Sequence, residues 1–292
     1  VCLEQGDWTK PSDFPSTGRD WEARAMEDYA ISPNRRGLPA DYPVNDDASP
    51  IKIANYNGVG GGTVFYAAHF PRLHPSDFRV RSLDGVADDW PVDYHTLEPF
   101  YELNDRMMGV SSLAGDPAYP EKKAMMPPIA ILTEYYDGRA ACINLGQCGS
   151  GCAQGAKGAT DVTYWQEVLR SRVELRTQCR VSRIETNEAG MATGVFYFDA
   201  DNKEVFQPAE IVIMACNGIG TPRILLNSAS ERFPNGLANS SGLVGRNLML
   251  HPYAQMRGHF DEKMDGYRGA PICTWSMEFY ETDLSREFLR GY

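Results

Sequence analysis

The chain alternates short apolar stretches with polar, proline-bearing segments, and the period of each stretch predicts an element. Residues 1–8, VCLEQGDW, run from apolar to acid and glycine, as a parallel strand does on meeting its C-terminal loop. From Thr9 to Pro50 the pattern turns polar, and only Trp21 to Tyr29 has helical spacing. Leu97, Phe100, Tyr101 and Met108 recur at helical intervals behind Asp93, a good N-cap, and before Gly109, a good C-terminal stop. Pro117 to Pro128 reads as loop, and Asp161 to Leu169 as helix. VELRTQCRVSRIET, residues 173–186, alternates as a strand, and GVFYFDADNKEVF reads as a hairpin turning at Asp199 to Asn202. Ile211 to Cys216 is continuously apolar, which predicts a strand buried on both faces. Thr221 can then cap a helix whose first position is Pro222. Gly242 to Tyr292 reads as loop and strand rich in aromatics.

Composition narrows the function. The 292 residues suit one large domain or two ordinary ones. A net charge of −11, with no concentrated basic run, disfavours nucleic acid as a partner. No apolar run approaches the roughly 20 residues of a membrane helix. The seven cysteines are an odd set in a long chain, which argues against a secreted disulfide framework. Cys2, Cys179, Cys216 and Cys273 stand singly among apolar or strand-like neighbours, as small buried hydrophobes do. Cys142, Cys148 and Cys152 are instead crowded onto a glycine-rich turn, and soft thiolates so spaced suit an iron–sulfur cluster. A compact turn of packed thiols, or a Cys148–Cys152 pair, is the bland alternative.

Three features carry candidate chemistry. Glu4, an acid ending a parallel strand, can accept from both ribose hydroxyls of an adenosine, or can be a solvated loop carboxylate. Gly58-Val59-Gly60-Gly61-Gly62-Thr63 removes Cβ from successive residues, so that its backbone can approach a pyrophosphate or flavin, or simply make a tight turn. Gly218-Ile219-Gly220-Thr221-Pro222, directly after the apolar run, places a helix start at a strand end, where anions and cofactors bind or ordinary strand–helix turns lie.

Together the three make a pattern. NGVGGGTVFYAAHFPRLHPSDF is similar to the first signature of the glucose–methanol–choline (GMC) oxidoreductases. ACNGIGTPRILLNSAS resembles the second, and SSGLVGRNLMLHP the segment that follows it. The resemblance covers nearly the whole chain. It implies an α/β fold (α+β overall): a doubly wound FAD-binding domain interleaved with a substrate domain built on a sheet. The flavin domain would take residues 1–80 and 136–250, the substrate domain 81–135 and 251–292. The implied FAD contacts are Glu4, Gly58, Gly60, Gly61, Gly62, Thr63, Tyr66, Val181, Cys216 and Gly220. Covalent-flavin members carry a histidine where Phe65 stands, which implies noncovalent FAD. The Asp that normally precedes His-Pro after GRNL is replaced here by Leu250.

Within the family the nearest resemblance is to bacterial sugar dehydrogenase flavoprotein subunits and to actinobacterial pyranose and glycoside 3-oxidases. The implied reaction is oxidation of a sugar, glycoside or sugar-acid CH–OH by hydride transfer to flavin, with an electron-acceptor subunit as a possible partner. Some such subunits carry an iron–sulfur cluster on a spacing similar to Cys142, Cys148 and Cys152, though Ile143 and Ala153 depart from their pattern. None of His69, His74, His95, His251 or His259 lies in the family's catalytic motif, so the catalytic pair is expected beyond Tyr292. The glycine fingerprint is likewise expected before Val1. The chain therefore reads as an internal fragment, inactive alone, with a short stretch between Met126 and Ile131. The compartment is open, with cytoplasm slightly favoured. Two alternatives stand beside this reading: a non-catalytic carbohydrate- or cofactor-binding module, and a dehydrogenase for sterols or aliphatic alcohols.

Overall fold

The computed structural model describes residues 1–14, 30–38, 41, 44–112, 124–125, 127–250, 256, 258–263, 269–270, 274–276 and 279–290. The strands are β1 (Cys2–Leu3), β2 (Ala124–Met125), β3 (Leu175–Arg176), β4 (Arg180–Thr186), β5 (Ala192–Phe198), β6 (Glu204–Pro208) and β7 (Trp275–Ser276). The helices are α1 (Pro33–Arg36), α2 (Val80–Asp84), α3 (Tyr94–Met108), α4 (Tyr164–Arg170) and α5 (Asn217–Asn227). The expected helix at Trp21 to Tyr29, together with His251, Pro252 and Cys273, lies outside the described residues. The chain divides into two units, the first made of residues 1–8 and 173–259, the second of 9–172 and 260–292.

In the first unit β1 pairs in parallel with β3, Cys2 opposite Leu175 and Leu3 opposite Arg176. β4, β5 and β6 form an antiparallel sheet in that order. The hairpin at Asp199 to Asn202 forms as the sequence predicts: Asp199 Oδ1 accepts from the amides of Asp201 (3.0 Å) and Lys203 (2.9 Å), and Asn202 takes φ 59°. Ile184, Val195 and Ile224 make the core, with Leu3, Val181, Val212, Met214 and Leu237 packed against it. Ser228 joins α5 to β4, its hydroxyl accepting from the Ile184 amide (2.8 Å) and donating to the Ile224 carbonyl (2.7 Å).

One expected strand is absent. Residues 211–216 pair with no strand among the described residues. Val212, Met214 and Cys216 pack inward, whereas Ile211 and Ile213 are 79% and 88% exposed. The period of two is kept, but only one face is covered, and an apolar run predicts burial on both.

In the second unit α3 has the predicted ends. Asp93 Oδ1 accepts from the Thr96 amide and hydroxyl, both at 2.8 Å, and Gly109 closes the helix at φ 70°. Its apolar stripe is buried only in part: Met108 enters the core, Tyr101 stacks on Tyr94 at 5.8 Å, and Phe100 faces outward. The helix read at Asp161 to Leu169 begins later, at Tyr164. The segment read as loop from Pro117 to Pro128 contains β2, which pairs antiparallel with β7.

Ala68, Met108, Ala130, Ile131 and Cys148 form the main core of this unit. Gly158 is a point of close approach, since a Cβ there would lie 2.2 Å from the Met108 carbonyl oxygen. Elsewhere the buried Arg290 guanidinium reaches Asp84 (2.8 Å), Glu281 (2.7 Å) and Asp77 (3.4 Å). Ser76 donates to Glu281 at 2.7 Å and Tyr280 to Asp77 at 2.5 Å. Burial pushes the Glu281 carboxyl up, but hydrogen bonds from Ser76 and His74 and the charge of Arg290 outweigh it and hold it low. No helix among the described residues is long and apolar enough to cross a membrane.

Candidate functional site

The sequence-predicted residues divide between the units: Glu4, Val181, Cys216 and Gly220 in the first, the glycine turn, Tyr66 and the cysteine turn in the second.

Glu4 follows β1 directly. Its amide donates to Arg176 (2.9 Å) and its carbonyl accepts from the Cys179 amide (2.8 Å), so the backbone is fixed on both sides. The carboxylate folds back to accept the Gly6 amide at 2.8 Å. Burial raises the thiols of Cys2 and Cys216, and the charge of Glu4 adds to both shifts. The fold therefore brings Glu4 and Cys216 into one electrostatic neighbourhood. Val181 lies in β4 opposite Tyr197 and packs on the core.

The helix after the apolar run starts at Asn217, four residues before the expected Thr221 cap, and Pro222 falls inside it. The Asn217 side chain makes this possible: at φ 59° its Oδ1 accepts the amides of Ile219 (2.8 Å) and Gly220 (3.0 Å). Both amides are thus engaged by the protein itself. Gly218 is different, because a Cβ there would meet nothing nearer than Leu248 Cδ1 at 4.0 Å.

In the second unit the glycine turn opens at Gly60 with φ 99° and winds through a 3-10 turn at Gly61–Val64. Gly58 and Gly60 are glycines for reasons internal to the protein. A Cβ on Gly58 would strike the Tyr56 ring at 2.8 Å, and one on Gly60 would lie 3.2 Å from the Asp161 amide nitrogen. Among the described residues a Cβ on Gly61 or Gly62 would meet nothing within 4 Å, and Gly62 lacks even a positive φ. Neither sterics nor backbone requires glycine at 62. The bare, exposed backbone there is what a flat ligand pressed against the turn would need.

The turn rests on residues 157–161. Thr63 Oγ1 donates to the Gly60 carbonyl (2.5 Å) and accepts from the Thr160 amide (3.0 Å), and Thr160 Oγ1 donates to the same carbonyl (3.1 Å). Tyr66 donates to the Gly158 carbonyl at 2.5 Å, and burial holds its phenol far above the usual range. Lys157 is buried and spends its ammonium protons on the carbonyls of Val64 (2.6 Å), Tyr66 (3.1 Å) and Cys148 (2.6 Å). Burial brings its amine down to about 8, against the opposing pull of Cys148. This ammonium ties the glycine turn to the cysteine turn.

Lys157, Thr160 and Asp161 were not singled out by sequence reasoning. The signal was there: one lysine amid the small residues of CGSGCAQGAKGAT, where a buried lysine demands acceptors.

The iron–sulfur expectation finds no ligand set. Among the described residues no group of three or more His, Cys, Asp or Glu is placed to hold a metal ion, Cys142, Cys148 and Cys152 included. Burial pushes the Cys148 thiol up to about 11, and the nearby Lys157 offsets only part of this. The Cys142 sulfur accepts the Asn144 amide at 3.3 Å.

Comparison with known proteins places this arrangement. The chain is 38% identical to 2-methyl-1,2-propanediol dehydrogenase of Mycolicibacterium austroafricanum, over all of its own length and 58% of the relative's. That alignment has 326 positions against 292 residues, leaving at least 34 positions without a counterpart here. The chain is 30% identical to the fructose dehydrogenase large subunit of Gluconobacter japonicus, over 83% of this chain and 50% of the relative. It is also 30% identical to 6'''-hydroxyparomomycin C oxidase of Streptomyces lividus, over 80% of this chain and 48% of that one. The chain thus spans about half the length of the curated relatives it matches. The profile of the GMC oxidoreductases matches residues 47–253, a stretch that takes in the glycine turn, Lys157, β4 to β6 and α5, and the chain belongs to that family.

Proposed function

We propose that the chain is part of an FAD-dependent oxidoreductase that removes hydride from a CH–OH group of a small polyhydroxylated substrate. The observation that carries this is Gly62, a glycine that neither packing nor φ explains, beside Gly61 on a turn held rigid by Thr63, Thr160 and Lys157. Noncovalent FAD, when bound, supplies the hydride acceptor; the chain supplies binding and orientation. Gly60, Gly61, Gly62 and Thr63 line the flavin, with Gly58 and Tyr66 shaping the turn behind them. Glu4 accepts from the adenosine ribose hydroxyls, and Val181, Cys216 and Gly220 complete the adenosine side.

The substrate is a sugar, glycoside or aminoglycoside hydroxyl, as the names of the fructose dehydrogenase subunit and the paromomycin-type oxidase suggest. A small aliphatic diol is the second reading, favoured by the 38% identity to the propanediol dehydrogenase. The word "subunit" in one relative's name supports an electron-accepting partner chain. Anaerobic mixing of the FAD-loaded full-length protein that contains this chain with fructose, an aminoglycoside and 2-methyl-1,2-propanediol tests this. Bleaching of the flavin band by one class assigns the substrate, and bleaching by none refutes the reading.

A further inference from the structure

In the second unit residues 282–290 form a hairpin that closes on itself. Asp283 and Phe288 exchange backbone hydrogen bonds (2.9 and 3.0 Å), Asp283 Oδ1 caps the 3-10 turn at Leu284–Arg286, and the Thr282 hydroxyl accepts the Arg290 amide at 3.2 Å. Among the described residues no backbone hydrogen bond joins residues 279–290 to residues 74–84. Side chains dock the one segment on the other. The single guanidinium of Arg290 faces three carboxylates there, those of Asp77, Asp84 and Glu281, so the cluster is short of positive charge. His74 stands beside it. Its Nδ1 lies 3.2 Å from Glu281 Oε1, the oxygen that also accepts from Ser76, and its ring lies 4.2 Å from that of Tyr280. An imidazolium in this place makes a charge-assisted hydrogen bond and faces an aromatic ring, whereas a neutral imidazole keeps the contacts without the charge.

We propose that His74 is a proton-operated clasp: its imidazolium joins Arg290 in balancing the carboxylates and docks residues 279–290 on residues 74–84, and loss of that proton loosens the docked segment. A buffer acid gives the proton to the imidazole nitrogen and takes it back, and no electron moves. The charged and titratable groups facing His74 are Asp77 from its own turn and Tyr280, Glu281 and Arg290 from the docked segment. Asp84 of α2 lies behind Arg290, and Tyr101 of α3 and Arg72 flank Asp77. Tyr280 stays a phenol, since burial and its bond to Asp77 raise it far above the usual range. Burial pushes Glu281 up, but Ser76, His74 and Arg290 hold it low, so it stays ionised above its ordinary 4.5. The docked state gains the bond that the proton makes, so docking takes up protons and strengthens as pH falls through neutrality. The clasp lies wholly in the second unit and does not depend on the cofactor reading.

Nuclear magnetic resonance of the full chain with isotope-labelled arginine tests the proposal. The Arg290 Nε–H is buried against Asp84 at 2.8 Å, so it exchanges with water when the segment undocks, and Arg290→Lys assigns its signal. The expected protection, relative to free arginine at the same pH, is about 5-fold greater at about pH 6 than at about pH 8, the margin of a charged over a neutral hydrogen bond. Arg36, buried in a separate ion pair with Asp41, should show no such change. His74→Gln keeps a neutral donor and should lower the protection at the acidic pH to the alkaline value. Equal protection of wild type at both pH values overturns the proposal, and so does a His74→Gln variant that retains the wild-type dependence. Should that variant fail to fold, Glu281→Gln removes the imidazolium's partner and must abolish the dependence, and its persistence refutes the clasp.

Discussion

Gly62→Ala separates a glycine kept for the fold from one kept for a ligand. Among the described residues no atom lies within 4 Å of the added Cβ, and φ at 62 is not positive. The substitution therefore removes only chain entropy from the unfolded state, worth about 0.4–1 kcal/mol of added stability. That is a rise in Tm of about 1–4 °C. Against a bound flavin the same methyl overfills the contact, costing about 1–3 kcal/mol by analogy with overpacked sites. The expected loss of FAD affinity is about 5- to 150-fold in Kd.

Gly60→Ala is the control. At φ 99°, with Val64 Cγ2 at 2.9 Å and the Asp161 amide at 3.2 Å, its Cβ strains the backbone. It should cost about 1–3 kcal/mol of stability whether or not FAD is present. Thermal unfolding without cofactor and fluorescence titration with FAD read the two quantities independently. A destabilised Gly62→Ala, or one that binds FAD as tightly as wild type, refutes the reasoning.

Lys157→Met leaves the carbonyls of Val64, Tyr66 and Cys148 without their donor and should cost about 3 kcal/mol or more by urea unfolding. Its pH dependence has a definite sign. The folded amine sits at about 8, below its ordinary 10.5, so the unfolded chain binds more protons above pH 8. Wild type therefore gains stability over the variant as pH rises from 8 toward 9, and a flat difference would contradict the buried ammonium. Arg290→Met strands the carboxylates of Asp84, Glu281 and Asp77 and should cost about 3–5 kcal/mol near neutrality. Because Glu281 is held low in the fold, that stabilisation is present above its ordinary 4.5 and is lost as pH falls through its folded value; denaturant melts at several pH values check this. Glu4→Gln keeps an oxygen for the Gly6 amide, so Tm should hold, while FAD titration shows affinity reduced by about 5- to 10-fold, one hydrogen bond's worth.

What could be read from the sequence was what local chemistry decides. The α3 boundaries follow from Asp93 and Gly109, and the β5–β6 hairpin follows from an aspartate that closes its own turn. What could not be read depended on partners distant in sequence. Ile211 and Ile213 look like core residues, yet one face of their segment is uncovered. The start of α5 was set by the Asn217 side chain, which competes with Thr221 as a cap, and spacing does not rank the two. The glycine turn was legible as a motif, but its four glycines look alike in sequence. Only the space around each one shows that Gly58 and Gly60 are packed against the protein, whereas a Cβ on Gly62 would meet no described residue. The cysteine turn was legible as a cluster, but the burial that raises the Cys148 thiol was not, because spacing says nothing of burial.

The most direct test of the cofactor site is the structure of the protein determined with FAD. The expected result is the flavin ring against the bare backbone of Gly61 and Gly62, with Lys157 still bonded to the carbonyls of Val64, Tyr66 and Cys148. FAD bound elsewhere, with the surface of Gly62 left open, would contradict the account.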